Sequence, residues 1–190
     1  MRCAVLALIA LAIAGCATRS YEPAVLYTLR VEPQVSPCER IDKTVMIRPL
    51  DGARPYTQQI VYREGLELGH YTTVEWAETP DSIVTRALQD ALVTSGRFAD
   101  VGIAPDVTKP DYILTGQVRQ FDVVRDSEPW TAVCEVRVEL RAALDRTVVW
   151  AGTQRASVPL ATNEVAALPD AMGKAVSTVV TESVAGMTQE

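Results

Sequence analysis

The 190-residue sequence holds a single histidine, His70, and that scarcity removes whole classes of chemistry. A Ser/His/Asp or Cys/His catalytic unit would have to be built on His70. It sits in the strand-like stretch Glu67-Leu68-Gly69-His70-Tyr71, where an edge-strand histidine is the plainer reading. There is no C-x-x-C, no H-E-x-x-H and no carboxylate run with calcium-loop spacing, so a metal centre has no support. There is no G-x-G-x-x-G and no P-loop to cradle a phosphate. Glu75 and Glu78 flank Trp76, but two carboxylates near each other in sequence are ordinarily solvated surface. Basic residues are outnumbered, 18 Lys and Arg against 24 Asp and Glu, which argues against the clustered basic face that nucleic acid requires. The expectation is a protein with no catalytic set, no metal and no cofactor, acting by binding.

Apolar runs long enough to cross a bilayer are also missing. The longest, residues 4–14 behind Arg2, falls well short of the roughly 20 residues a membrane helix needs and suits a secretory leader. It ends in Ile13-Ala14-Gly15-Cys16, which resembles the bacterial lipobox: an aliphatic residue, two small ones that let a peptidase approach the backbone, and a thiol that accepts diacylglyceryl. The alternative is a plain signal peptide with an incidental cysteine. Cleavage before Cys16 would give residues 1–15 as signal peptide, 16–24 as lipidated cysteine and tether, and 25–190 as one domain. Several acyl chains on Cys16 would anchor durably where one would not. Ala17, standing where an inner-membrane retention signal has Asp, favours the outer membrane, periplasmic face. Residues 17–24, fully extended, reach at most about 28 Å, which keeps the domain close to that membrane. Cys38 and Cys134 are then an even pair in an oxidising compartment and are expected to form a disulfide; two unpaired thiols are the alternative.

The domain reads as α/β or α+β: a mixed sheet of about six or seven strands packed by two main helices. Strands are expected at residues 26–31, 45–47, 98–101 and 112–124. A hairpin is expected across Glu64-Gly65, from residues 59–63 to 67–71. In residues 132–144, Cys134, Val136, Val138, Leu140 and Ala142 alternate with Glu135, Arg137, Glu139 and Arg141, so the first set faces the core. Residues 147–158 are the partner strand. Thr79 as N-cap, Pro80, Asp81 and the stripe Ile83, Val84, Ala87, Leu88, Ala91, Leu92 define a helix that ends at Gly96. A closing helix starts near Leu168 or Pro169. Trp76, between hairpin and helix, reads as a core plug.

Several short motifs keep an order and spacing. They are Tyr27-Thr28-Leu29 soon after the lipobox, the hairpin, Tyr71-x-x-x-x-Trp76-Ala-Glu-x-Pro80, and Ser95-Gly96-Arg97-Phe98-Ala-Asp-Val101. Together they resemble the ABC-type transport auxiliary lipoprotein family over essentially the whole mature chain. The resemblance implies an outer-membrane lipoprotein without catalytic residues, serving an ABC permease and ATPase that work with an MCE-domain protein to move phospholipid or other hydrophobic molecules. It also implies docking on a periplasmic bridge, with a homo-oligomeric ring as one form. A stand-alone envelope lipoprotein that binds a hydrophobic ligand or assists assembly is the competing class. For the contact surface the sequence offers Trp130 in Asp126-Ser-Glu-Pro-Trp-Thr131, as an exposed aromatic anchor or as a ring folded back over the sheet edge.

Overall fold

The computed structural model describes residues 23–188. In chain order these residues form β1 (Val25–Tyr27), β2 (Ile41–Ile47), β3 (Asp51–Gly52), β4 (Gln59–Glu64), β5 (Glu67–Trp76) and helix α1 (Pro80–Ser95). Then come β6 (Phe98–Ile103), β7 (Tyr112–Val124), β8 (Thr131–Ala142), β9 (Val148–Pro159), a 3-10 turn and helix α2 (Leu168–Thr188). The mixed sheet and the two helices are those expected, with nine strands in place of six or seven. One addition, β3, has no apolar alternation to announce it. Asp51 and Gly52 become a strand only because Gln117 and Val118 of β7 lie beside them.

β7 is the spine. Along one edge it pairs over its whole length with β8, and β8 in turn pairs with β9, both antiparallel. The other edge is shared in succession by β2, β3 and β4, all parallel to it, at Tyr112–Leu114, Gln117–Val118 and Asp122–Val124 respectively. β5 turns back along β4, β1 lies parallel to β5, and β6 lies parallel to β2. α2 packs on β8 and β9, and α1 packs on β6, β7 and α2.

The expected periodicities decide burial. Cys134, Val136, Val138 and Leu140 are buried, while Glu139 takes Arg137 and Arg141 and Glu135 takes Arg155 as ion-pair partners on the other face. Trp76 is fully buried edge-on against Phe121, with ring centroids 5.6 Å apart. α1 buries Ile83, Val84, Ala87, Leu88, Ala91 and Leu92 and closes on Gly96 in the left-handed conformation, φ 64°, as a non-glycine residue would do only at a cost. Thr79 is its N-cap residue, but the hydroxyl donates to Ser82 Oγ and makes no bond to a helix N–H.

The expected Cys38–Cys134 bridge does not form; both thiols are free. The reason is distance along the sheet. Cys134 is opposite Phe121, whereas Cys38 precedes β2, whose Val45 is opposite Tyr112. Those two levels of β7 are nine residues apart, about 30 Å at 3.3 Å per residue. A disulfide needs Cα atoms within about 7 Å.

The stretch between β1 and β2 is extended without being a strand. Tyr27, Leu29, Val31 and Val35 turn inward onto the core. Glu32 N–H donates to Ser177 Oγ (2.8 Å) and Gln34 N–H to Thr181 Oγ1 (3.0 Å). Two residues of extended chain and four of helix both rise about 6 to 6.6 Å, so this strap and α2 stay in register. Gly173, one turn earlier, leaves room for the carbonyl of Arg30, which a Cβ there would strike.

Candidate functional site

The β4–β5 hairpin ends in a two-residue turn, Gly65-Leu66, with Glu64 opposite Glu67 as the last pair. Gly65 takes φ 56° there, a conformation open to glycine at little cost. The turn is tied to the neighbouring β7–β8 loop. Gly65 N–H donates to Asp126 Oδ1 (2.6 Å), Arg125 N–H donates to the Arg63 carbonyl (2.9 Å), and the Arg125 guanidinium pairs with Glu64 (3.0 Å). Leu66 projects from this fixed turn with 99% of its surface exposed, and Leu68 is 44% exposed.

Behind the tip, Arg125 closes the end of the core. Its guanidinium carbon lies 4.5 Å from the Tyr62 ring centroid and 4.6 Å from that of Trp130, a double cation–π stack. Tyr62 also meets Tyr71 edge-on at 5.3 Å and lies flat over Gly69, where a Cβ would occupy the ring's place. Among the described residues, Tyr71 Oη and Arg125 Nε are the buried side-chain polar atoms without a hydrogen-bond partner. Burial raises the Tyr71 phenol above its ordinary pKa against the opposing pull of Arg125.

Beside this stack is a second polar knot. Asp122, 1% exposed, accepts from Tyr56 Oη (2.9 Å), Arg63 Nη2 (2.8 Å), Arg63 Nε (3.2 Å) and Gln120 Nε2 (2.7 Å). Burial, and then the Asp122 charge, push the Tyr56 hydroxyl up to about 12. With every Asp122 partner in place and Tyr56 held neutral, the knot joins β4 to β7 and offers no free base.

The residues singled out from sequence do not converge. Trp130 stands at this end, half-buried against the core, with Arg125 over its ring and its backbone N–H donating to Asn163 Oδ1 (2.9 Å). Cys134 is wholly buried, with its thiol pushed up to about 12 by burial. His70 is exposed on β5 opposite Val61, outside the cluster. Cys16 lies outside the described residues. Among the described residues, no group of three His, Cys, Asp or Glu side chains could hold a metal ion, and no helix is long and apolar enough to cross a membrane. Sequence reading passed over Leu66, although an apolar residue in a polar hairpin turn is a signal. It also passed over Asp122, an acid set among the buried residues of a strand.

The direction of β1 bears on the same end. β1 is parallel to β5, with Val25 opposite Val74 and Tyr27 opposite Trp76, so the backbone leading into Val25 comes from the side of the Gly65-Leu66 turn.

The family model for the ABC-type transport auxiliary lipoprotein component matches residues 27–184. No curated protein matches the chain. Among solved structures, protein XCC0632 from Xanthomonas campestris superposes with a TM-score of 0.77 at 24% identity, covering 87% of this chain and 96% of that one. The PelC dodecamer from Paraburkholderia phytofirmans gives 0.54 at 16% identity, covering 84% and 96%. The hypothetical protein CT253 from Chlamydia trachomatis gives 0.55 at 11% identity, covering 78% and 96%. At these identities the structures share the fold.

Proposed function

The chain belongs to the ABC-type transport auxiliary lipoprotein component family, and from that premise we propose that it is a non-enzymatic, lipid-anchored docking subunit. In this reading residues 1–15 are removed as a signal peptide and Cys16 carries the lipid. Residues 16–24 tether the domain to the periplasmic face of the outer membrane. Its partners are an MCE-domain protein and the ABC permease and ATPase that move phospholipid or another hydrophobic cargo. The observation that carries this is the family match over residues 27–184, which begins just beyond the tether. A ring of copies is part of the proposal: PelC is a dodecamer by its description, and among the described residues β9 here pairs with β8 alone, which leaves a twelve-residue edge able to accept a neighbour.

The rival reading, a carrier with its own hydrophobic pocket, would have to use one of the hollows of the fold. One of about 150 Å³ lies between the strap and α1, lined by Leu29, Val31, Ile83 and Ala87 together with Glu78, Arg86 and Asp90. Two larger ones, of about 490 and 420 Å³, carry charged side chains in their walls, Arg30, Glu32, Asp170 and Lys174 in the first and Arg48, Arg141 and Arg146 in the second; their volumes fall within the roughly 300 to 1,000 Å³ of drug-sized ligand pockets, but charged walls suit acyl chains poorly.

Replacing the anchor tests the first step. Cys16→Ala is expected to leave an unlipidated precursor that leaves the outer-membrane fraction; normal retention of that variant would refute the anchor. Crosslinking the native lipoprotein in cells, followed by identification of the captured proteins, tests the second. Recovery of an MCE-domain protein with its permease supports the docking role, and recovery of bound lipid alone supports the carrier.

A further inference from the structure

We propose that the Gly65-Leu66 turn is a membrane-contacting tip, with Leu66 and Leu68 entering the interfacial region of the bilayer that holds the Cys16 lipid. This rests on the lipid-anchor reading above. One exposed leucine on a surface needs no explanation; here its rigidity and its position supply one. Asp126 and Arg125 hold the turn from the next loop, so the Leu66 backbone is presented at a fixed place and little backbone freedom is left to lose on insertion.

Chain length sets the geometry. Val25 is level with Val74 on β5, and Leu66 is eight residues further toward the tip, about 26 Å at 3.3 Å per residue. The nine residues from Cys16 to Val25 extend at most about 32 Å. With β5 upright on the membrane, a lipid on Cys16 therefore reaches the level of Leu66 and little beyond it. The bilayer surface meets the tip. The opposite end of the sheet, where the β8–β9 connection exposes Leu144 at 98%, points away into the periplasm.

Two leucines do not hold a protein on a membrane by themselves. On a chain already tethered by lipid, their insertion is intramolecular and benefits from a high effective concentration, so the tip fixes orientation while the lipid fixes residence. The exposed charges around the turn are Glu64, Glu67, Asp126 and Glu128, with Arg63 and Arg125 half-buried behind them. That acidic surround suits a mainly zwitterionic surface and disfavours a strongly anionic one.

The test uses the lipidated mature protein, carrying Cys38→Ser to remove the accessible thiol. It is reconstituted into phosphatidylethanolamine vesicles with a minor share of phosphatidylglycerol. An environment-sensitive fluorophore is placed at Leu66→Cys or, as a control, at Leu144→Cys. The label at position 66 should shift to shorter wavelength and lose most of its emission to brominated lipid, and the label at 144 should do neither. Raising the share of phosphatidylglycerol should weaken the shift. A label at 66 that stays in water on protein that floats with the vesicles overturns the tip contact and leaves the anchor standing. So does a label that leaves water only when a periplasmic protein fraction is added, which would give the tip to a protein partner. Failure of the protein to float overturns the anchor, and the tip contact with it.

Discussion

Asp122 interrupts the buried run Phe121-Asp122-Val123 of β7, and such an acid is tolerated only when its lone pairs are all engaged. Tyr56, Arg63 and Gln120 do that. Removing the carboxylate strands a guanidinium whose side chain is 28% exposed, which relieves part of the cost of a fully buried charge. Asp122→Ala is therefore expected to lose about 3 kcal/mol, the lower part of the range for breaking a buried pair, read as a fall in the urea midpoint with unchanged slope. Glu78→Gln, which breaks the exposed pair with Arg86, is expected to stay within about 0.5 kcal/mol in the same assay. The two cysteines separate equally cleanly. Cys134 is fully buried and held as the neutral thiol, so an alkylating reagent should label Cys38 in the native protein and Cys134 only after denaturant is added. Simultaneous labelling of both under native conditions would contradict the burial of β8.

At the scale of elements, the strap and α2 depend on one another. The strap has no strand partner among the described residues, and its amides at Glu32 and Gln34 are satisfied by hydroxyls on α2, spaced one turn apart. Ser177 Oγ also donates back to the Gly173 carbonyl, which fixes the hydroxyl for its second role. Gly173→Val would place a branched side chain where the Arg30 carbonyl runs. We expect it to cost about 1–3 kcal/mol by overpacking and to speed hydrogen exchange at the Glu32 and Gln34 amides while β7 and β8 amides keep their protection. Uniform loss of protection would mean that the strap is not a separate unit. Because the strap joins β1 to β2, loosening it would also free the segment through which the tether meets the domain.

For the whole molecule, the sheet has two unlike ends: one, on the side from which the backbone enters β1, with a tied turn bearing Leu66, and one carrying Leu144. An anchored docking body needs such polarity, because a tether alone leaves orientation free. Acid should weaken the fold through a distributed set of carboxylates. Glu78 is held below its ordinary range by Arg86, Asp111 by Lys43 and the Thr44 N–H, Glu139 by Arg141 and Arg137, and Asp145 by the Thr147 N–H. A depressed native value means that the stabilisation is present in full above the unfolded value, near pH 4, and is lost as pH falls through the native values. The melting temperature is thus expected to be level from neutrality to about pH 5 and to decline below about pH 4. A rise in stability on acidification would contradict these pairings.

What the sequence determined by itself was whatever depends on local period: α1 from its stripe and its Gly96 stop, β8 from strict alternation, and the hairpin from its turn. The family could be recognised for the same reason, since its motifs are short and ordered along the chain. Tertiary structure decided everything set by distance between remote segments. It separated Cys38 from Cys134 by placing them at different levels of β7, and it made a strand of Asp51-Gly52 only by laying them beside Gln117 and Val118. It also made Trp130 one face of the Arg125 stack and laid β1 beside β5 so that the backbone leading into Val25 comes from the side of the Leu66 turn. Periodicity tells a residue which side of its own element it faces; only the order and register of the strands tell it which residues it will meet there.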